Sequence, residues 1–410
     1  GNLLGAEALG AVSISSTVIF TILSFIIGIN SSTLTVLSQR RGANDEEGLK
    51  VSLNAFVFVL GVLSIFLGIV GFILAPYILS WMGTPSSILP MAASYLRINF
   101  LGIVFLFGYN FIGTVLRAVG DSRTPLRFIS LAVILNTVLD PLFISVWDLG
   151  MEGAAIATVI SQGTAFLYGV IYSILKKGLP FTIPSPPPWT EFMRIFKLGL
   201  PSGFSMMAIS GGILAIMTVV TSFGETVIAG YGAAQRIDSL IMMPATTLGS
   251  AITSMSGQNI GADKWNRVSD IVKSGLMLIL SVSLLISLLV FLSAELLMSM
   301  FVDDPETIRY GATYLKIVAF FYPFLGINFV LNGIVRSSGA MVQVLVLNIV
   351  SFWVLRFPLA WAFSSWIGEN GIAIGIGASF IVSSMIAALY YRFGNWRKID
   401  IFSDEQRNTN

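Results

Sequence analysis

The sequence predicts an all-α polytopic membrane protein made of two homologous six-helix lobes, related by a pseudo-two-fold axis along the membrane normal. Three observations predict it. Of 410 residues, 55% are hydrophobic and 11% charged, with a mean hydropathy of +0.86. Such a chain cannot keep a water-facing surface, and apolar runs of about 20 residues or more recur along it. Basic residues gather in every other connection, the pattern of a chain that crosses a bilayer repeatedly. The chain also repeats itself. An offset of 219 residues pairs Gly5 with Gly224, Gln39 with Gln258, Tyr95-Leu96 with Tyr314-Leu315, and Arg117 and Gly120 with Arg336 and Gly339. An offset of 218 pairs Gly150, Gly153, Ile156 and Ser161 with Gly368, Gly371, Ile374 and Ser379. Repeats separated by six spans, an even number, keep the same orientation.

Hydropathy places about eleven spans, near residues 6–38, 50–76, 90–116, 125–146, 151–175, 196–221, 226–256, 270–298, 311–335, 342–365 and 371–391. Lys and Arg flank the connections after the first, third and fifth of these: Arg40, Arg41 and Lys50; Arg117, Arg123 and Arg127; Lys176, Lys177, Arg194 and Lys197. Lys264, Arg267 and Lys273, then Arg336, then Arg392, Arg397 and Lys398 continue the series, whereas the intervening connections hold only Arg309. The positive-inside rule makes the basic set cytoplasmic, including the C-terminus. The span near 196–221 opens the second half, and its counterpart in the first half falls before Gly1. Twelve helices are therefore expected, with the first lying upstream of this sequence and residues 1–175 supplying helices 2–6 of the amino lobe. Residues 176–195 form a cytoplasmic linker, within which the stretch 179–189, with Pro186-Pro187-Pro188, is expected to be extended. Residues 196–391 form the carboxyl lobe and 392–410 a cytoplasmic tail, whose polar end from Asp404 is expected to fray.

No enzyme constellation is present. The sequence has no Walker-type loop, no cysteine and no histidine. Disulfides, thiolate metal sites and thiol nucleophiles are thus excluded, and any proton must be carried by a carboxylate. Nothing in the charge pattern suits nucleic acid. Gly375-Ile376-Gly377 lies in an apolar span, where small residues permit close helix packing.

Intramembrane polar residues are the functional signal. Asp140 lies in the span near 125–146, and an acid there is costly enough to mark function. Asn136 is one turn away on the same helical face. Pro141 cannot donate to the carbonyl of Thr137, which weakens the helix beside the acid. Thr158, in the next span, can meet this pair across a helix interface, and Asn110 is a further candidate member. The counterpart of Asp140-Pro141 in the second half is close to Phe357-Pro358, with the proline kept and the acid absent. That half offers instead Asp238, Arg236 and Arg356, with Asp238 and Arg356 as a candidate ion pair. Asp238 and Arg356 are also candidates for substrate contact. Aromatic and methionine side chains can line a cavity for flat organic cations.

Several stretches carry a family resemblance: Gly5-Ala6-Glu7-Ala8-Leu9-Gly10-Ala11, Gln39 with Gly42-Ala43, Leu116-Arg117-Ala118-Val119-Gly120-Asp121, and Gly199-Leu200-Pro201-Ser202. In this order and spacing the chain resembles the multidrug and toxic compound extrusion (MATE) transporters, over nearly its whole length. Asn136, Asp140 and Thr158 are similar to the amino-lobe polar site of the DinF-like branch, where an aspartate on the first helix completes the site. The resemblance implies a secondary active antiporter of a bacterial or archaeal inner membrane. It would export small amphipathic or cationic organic compounds in exchange for protons, by rocking of the two lobes, with Asp140, Asn136, Thr158 and Asn110 handling the proton. It implies no cofactor beyond the coupling ion and a lipid-embedded monomer. Sodium coupling, and flipping of a lipid-linked precursor by a relative with similar lobes, are the alternatives, and a channel is a third reading. The NorM-like, sodium-linked branch places acids in carboxyl-lobe spans that lack them here, which favours the proton.

Overall fold

The computed structural model describes residues 5–182 and 184–403, with side chains from residue 7 onward. Among the described residues every regular element is helical. The chain divides between Gly199 and Leu200 into two compact units.

The first unit contains α1 (Gly5–Gly42), α2 (Glu46–Trp81), α3 (Leu89–Leu101), α4 (Ile103–Ala118), α5 (Arg123–Pro141) and α6 (Gly150–Leu175). Helices α3 and α4 are the two arms of one span, bent by 48° at Gly102. Helix α5 runs past Pro141 into a π-helical turn, Leu142–Val146. The proline removes a backbone donor, and the wider turn is how the chain continues beyond it. Asp45 starts α2: its side chain accepts from the backbone N–H of Gly48 at 2.8 Å, and Glu46 and Glu47 follow in the positive first turn.

Helix α7 (Trp189–Val220) begins in the first unit and continues into the second. Its start is fastened by a buried charge cluster. Glu191 accepts from Arg40 at 3.3 Å, from Ser52 Oγ at 3.2 Å and from Arg194, and all four side chains are buried. The linker before it is clipped to α2, where Asn54 donates to the Pro180 carbonyl at 3.0 Å and accepts from the Thr182 N–H at 2.8 Å. The stretch expected to be extended holds no regular element over 179–182 and 184–188, and the remainder of the linker from Trp189 is helical, because an acid three residues before a partner arginine suits a helix start.

The second unit comprises the rest of α7, α8 (Glu225–Gly261), α9 (Trp265–Ser299), α10 (Pro305–Ala319), α11 (Tyr322–Ser337), α12 (Met341–Ile349), α13 (Phe357–Ile367) and α14 (Asn370–Phe393). Helices α10 and α11 form a span bent by 53°, and a π-helical segment, Val350–Arg356, joins α12 to α13. Gly375 lets α14 approach α13: a β-carbon there would sit 2.4 Å from Ala360 Cα. After α14 the chain folds back, with Trp396 1% exposed, its Nε1 donating to the Tyr391 carbonyl at 2.7 Å. The residues expected to fray, 404–410, lie outside the described residues.

Among the described residues eight helices are long and apolar enough to cross a membrane, and the two bent pairs bring the number to ten. Helix α8 is as long as the others, with 37 residues, but Gln235, Arg236 and Asp238 lower its hydropathy. With it the count reaches the eleven spans read from the sequence. The repeat is also conformational. Asn44 and Asp263 have φ of 55° and 56°, and Gly120 and Gly339 have φ of 91° and 93°. These turns sit 219 residues apart, as do the bends at Gly102 and Phe321, so one helix–turn pattern is written twice. At φ near 90° a β-carbon would be strained, which is why glycine stands at both positions of the second pair.

Candidate functional site

In the first unit α5 and α6 bring three of the four predicted amino-lobe residues together. Asn136 Nδ2 donates to Asp140 Oδ1 at 3.0 Å and to Thr158 Oγ1 at 3.4 Å. The first bond joins neighbouring turns of α5, and the second crosses to α6. Thr158 uses its own proton locally, donating to the Ala154 carbonyl at 2.9 Å, which leaves its oxygen free to face Asn136. All three side chains are half-buried. Asn110 is not joined to them by a hydrogen bond among the described residues. Its amide donates to the Leu106 carbonyl at 2.8 Å, so α4 absorbs it locally. Tyr95, which the repeat pairs with Tyr314, lies within electrostatic range of Asp140.

The second unit builds a different constellation. Asp238 on α8 is buried, and its carboxylate accepts hydroxyl protons from Tyr314 of α10 at 3.1 Å and from Tyr322 of α11. Arg356, also buried, shares a cavity with Asp238 but makes no direct ion pair with it among the described residues. Its guanidinium lies over Phe352, 3.9 Å from the ring centroid, and Phe380, at 4.8 Å. The expected Asp238–Arg356 pair is thus replaced by two tyrosines on one side and two phenylalanines on the other. Arg236 is exposed and takes no part. The tyrosines were missed in the sequence because an apolar-looking aromatic gives no sign that its hydroxyl will meet an acid 76 or 84 residues away. The Tyr95–Tyr314 pairing in the repeat was the one available signal.

Further buried polar bonds cross the second unit. Asn348 donates to Ser205 Oγ at 2.6 Å and Ser383 to Ser351 Oγ at 2.7 Å. Among the described residues no group of three or more acids stands where it could hold a metal ion.

Tandem helical units with bent spans, and intramembrane acids held by hydrogen bonds, define a polytopic membrane transporter. The family model described as MatE matches residues 1–142 and 201–362, and the chain belongs to that family. It is 53% identical over 405 residues to the Bacillus subtilis probable multidrug resistance protein YpnP, covering 99% of this chain and 91% of that protein. A second B. subtilis protein, the probable multidrug resistance protein YoeA, is 30% identical over 98% of this chain and 89% of its own. Among solved structures, a Vibrio cholerae MATE transporter superposes with a TM-score of 0.90 at 22% identity, covering 96% of this chain and 91% of that one. An outward-facing multidrug resistance MATE family transporter superposes with a TM-score of 0.89 at 23% identity, over 95% and 88%. These structures share the two-lobe all-helical fold.

Proposed function

We propose that the protein is a secondary active antiporter that exports small amphipathic or cationic organic compounds in exchange for protons. The observation that carries this reading is the Asn136–Asp140–Thr158 cluster, a carboxylate paired with an amide donor on apolar spans, in a chain whose relatives are named for multidrug resistance. An ionised Asp140 attracts a cation, and a protonated Asp140 releases it. Alternate occupancy by proton and substrate gives obligatory exchange. Asn136 presents its NH2 group to the carboxylate, where a bound sodium ion would require oxygen acceptors, and this favours the proton. The π-helical turn after Pro141 gives α5 a weak point beside the titrating group, so a change in hydrogen bonding there can be passed to helix shape. Rocking of the two lobes then exchanges access between the faces of an inner membrane, with the basic connections and the C-terminus on the cytoplasmic side.

The test is export of a fluorescent organic cation by cells or proteoliposomes under an imposed pH gradient. Asp140→Asn should abolish pH-driven export while leaving the protein folded. Full export by that variant would overturn the assignment, and export driven by a sodium gradient without a pH gradient would replace the proton with sodium.

A further inference from the structure

The second unit holds a buried cation with an unmet hydrogen-bonding edge. Arg356 is 5% exposed, and its Nε and Nη2 have no hydrogen-bond partner among the described residues. These two donors lie on the same edge of the guanidinium, the edge that receives both oxygens of a carboxylate in a bidentate pair. The faces of the group are already used by Phe352 and Phe380. Asp238, which lines the same cavity, accepts from the hydroxyls of Tyr314 and Tyr322. The cavity that both charged groups line has a volume of about 20 Å³, room for a group of roughly water size. A water molecule there would offer one oxygen to the two donors, whereas a carboxylate offers one oxygen to each.

We propose that this cavity is a receptor for one carboxylate-type group, held by the Nε/Nη2 edge of Arg356. Two sources supply that chemistry: a small free anion, or the carboxylate of an exported compound. The second source rests on the transport reading above, the cavity then holding the carboxylate of an exported compound. Asp238 opposes the anion, so its charge sets how tightly the site binds.

Formate is the probe. Titrated into the purified full-length protein in detergent at constant ionic strength, it should bind saturably by calorimetry. Arg356→Gln should abolish binding, and Arg356→Lys, which lacks the two-donor edge, should weaken it about tenfold. Asp238→Asn should tighten it severalfold. No saturable binding to the wild-type protein overturns the proposal, as does unchanged binding by a folded Arg356→Gln protein. Weaker binding in Asp238→Asn also overturns it, since Asp238 would then belong to the binding set. The source is resolved by comparing export of a carboxylate-bearing organic cation with that of its methyl ester. Selective loss of the acid in Arg356→Lys assigns the site to substrate, and an unchanged ratio with formate binding intact in the wild type assigns it to a free anion. Formate binding needs no transport, so failure of the antiport reading in Asp140→Asn leaves this result standing.

Discussion

The two halves repeat a helix pattern but place opposite charges on the span that carries a π-helical segment beside a proline. In the first, Asp140 precedes Pro141 on a half-buried face and the π-helical turn follows the proline. In the second, Arg356 precedes Phe357-Pro358, is buried, and ends a π-helical segment that comes before the proline. The weak point is kept while its charge and its side of the proline have changed. The acid of the second half stands on α8 instead, locked by two tyrosines from the bent span. The first carboxylate is half-buried with one amide donor, and the second is buried with two hydroxyl donors. The difference suggests a division of labour, with exchange in the first half and shape or selectivity in the second.

The sharpest way to break this contrast is to neutralise both acids separately. Asp140→Asn should lower pH-driven export of an organic cation by about a hundredfold or to background. Asp238→Asn, measured in the same proteoliposomes, should retain export to within about tenfold, because the proposed reading gives the exchange to Asp140. Equal losses would erase the distinction between the halves.

The next effect concerns stability. Glu191 lies between Arg40 and Arg194, and Glu191→Leu removes the acid they share; Arg40 keeps Asp45, but breaking the buried Glu191–Arg194 pair costs about 3–5 kcal/mol. Tyr322→Phe removes one hydroxyl from Asp238 and should cost about 1–3 kcal/mol. Thermal unfolding in detergent should therefore show a larger drop in Tm for the Glu191 variant. The reverse order would mean that the tyrosine–acid cluster, and not the anchoring of α7, holds the fold.

Much of this architecture was legible beforehand, because a bilayer admits few backbone solutions and hydropathy records them. The repeat was legible because turns demand particular residues: Gly120 and Gly339 are needed for the same φ, and they kept their spacing. Asn136 and Asp140 were legible because a helix fixes what four residues apart means, and Thr158 because an adjacent span was near enough to guess. What stayed hidden depended on rotation of distant helices about their axes. Nothing in the sequence says that α8 turns Asp238 toward Tyr314 and Tyr322 rather than toward Arg356. Likewise, Glu191 reads as a linker residue until α7 is seen to begin there.

The smallest expected effect again separates the halves. The loop after Arg117 carries Asp121, whereas the matching position after Arg336 is Ala340. Burial raises the Asp121 pKa, but the Thr124 backbone N–H, Lys177 at 3.0 Å and the Thr124 hydroxyl outweigh it and hold the carboxyl down at about 2. A folded-state value below the ordinary 3.8 means that the charged form stabilises the folded protein. That contribution is complete above about pH 4 and disappears as the pH falls through about 2. Its size is limited by solvent, since Lys177 is exposed. The Tm gap between wild type and Asp121→Asn should thus be small and constant from about pH 7 to 5, and close on acidification toward about 2. Ala340→Asp should not reproduce the gap, because a turn of the same shape needs the lysine to hold its acid. A gap that widened as the pH fell would reverse the sign and remove Asp121 as a native-state anchor.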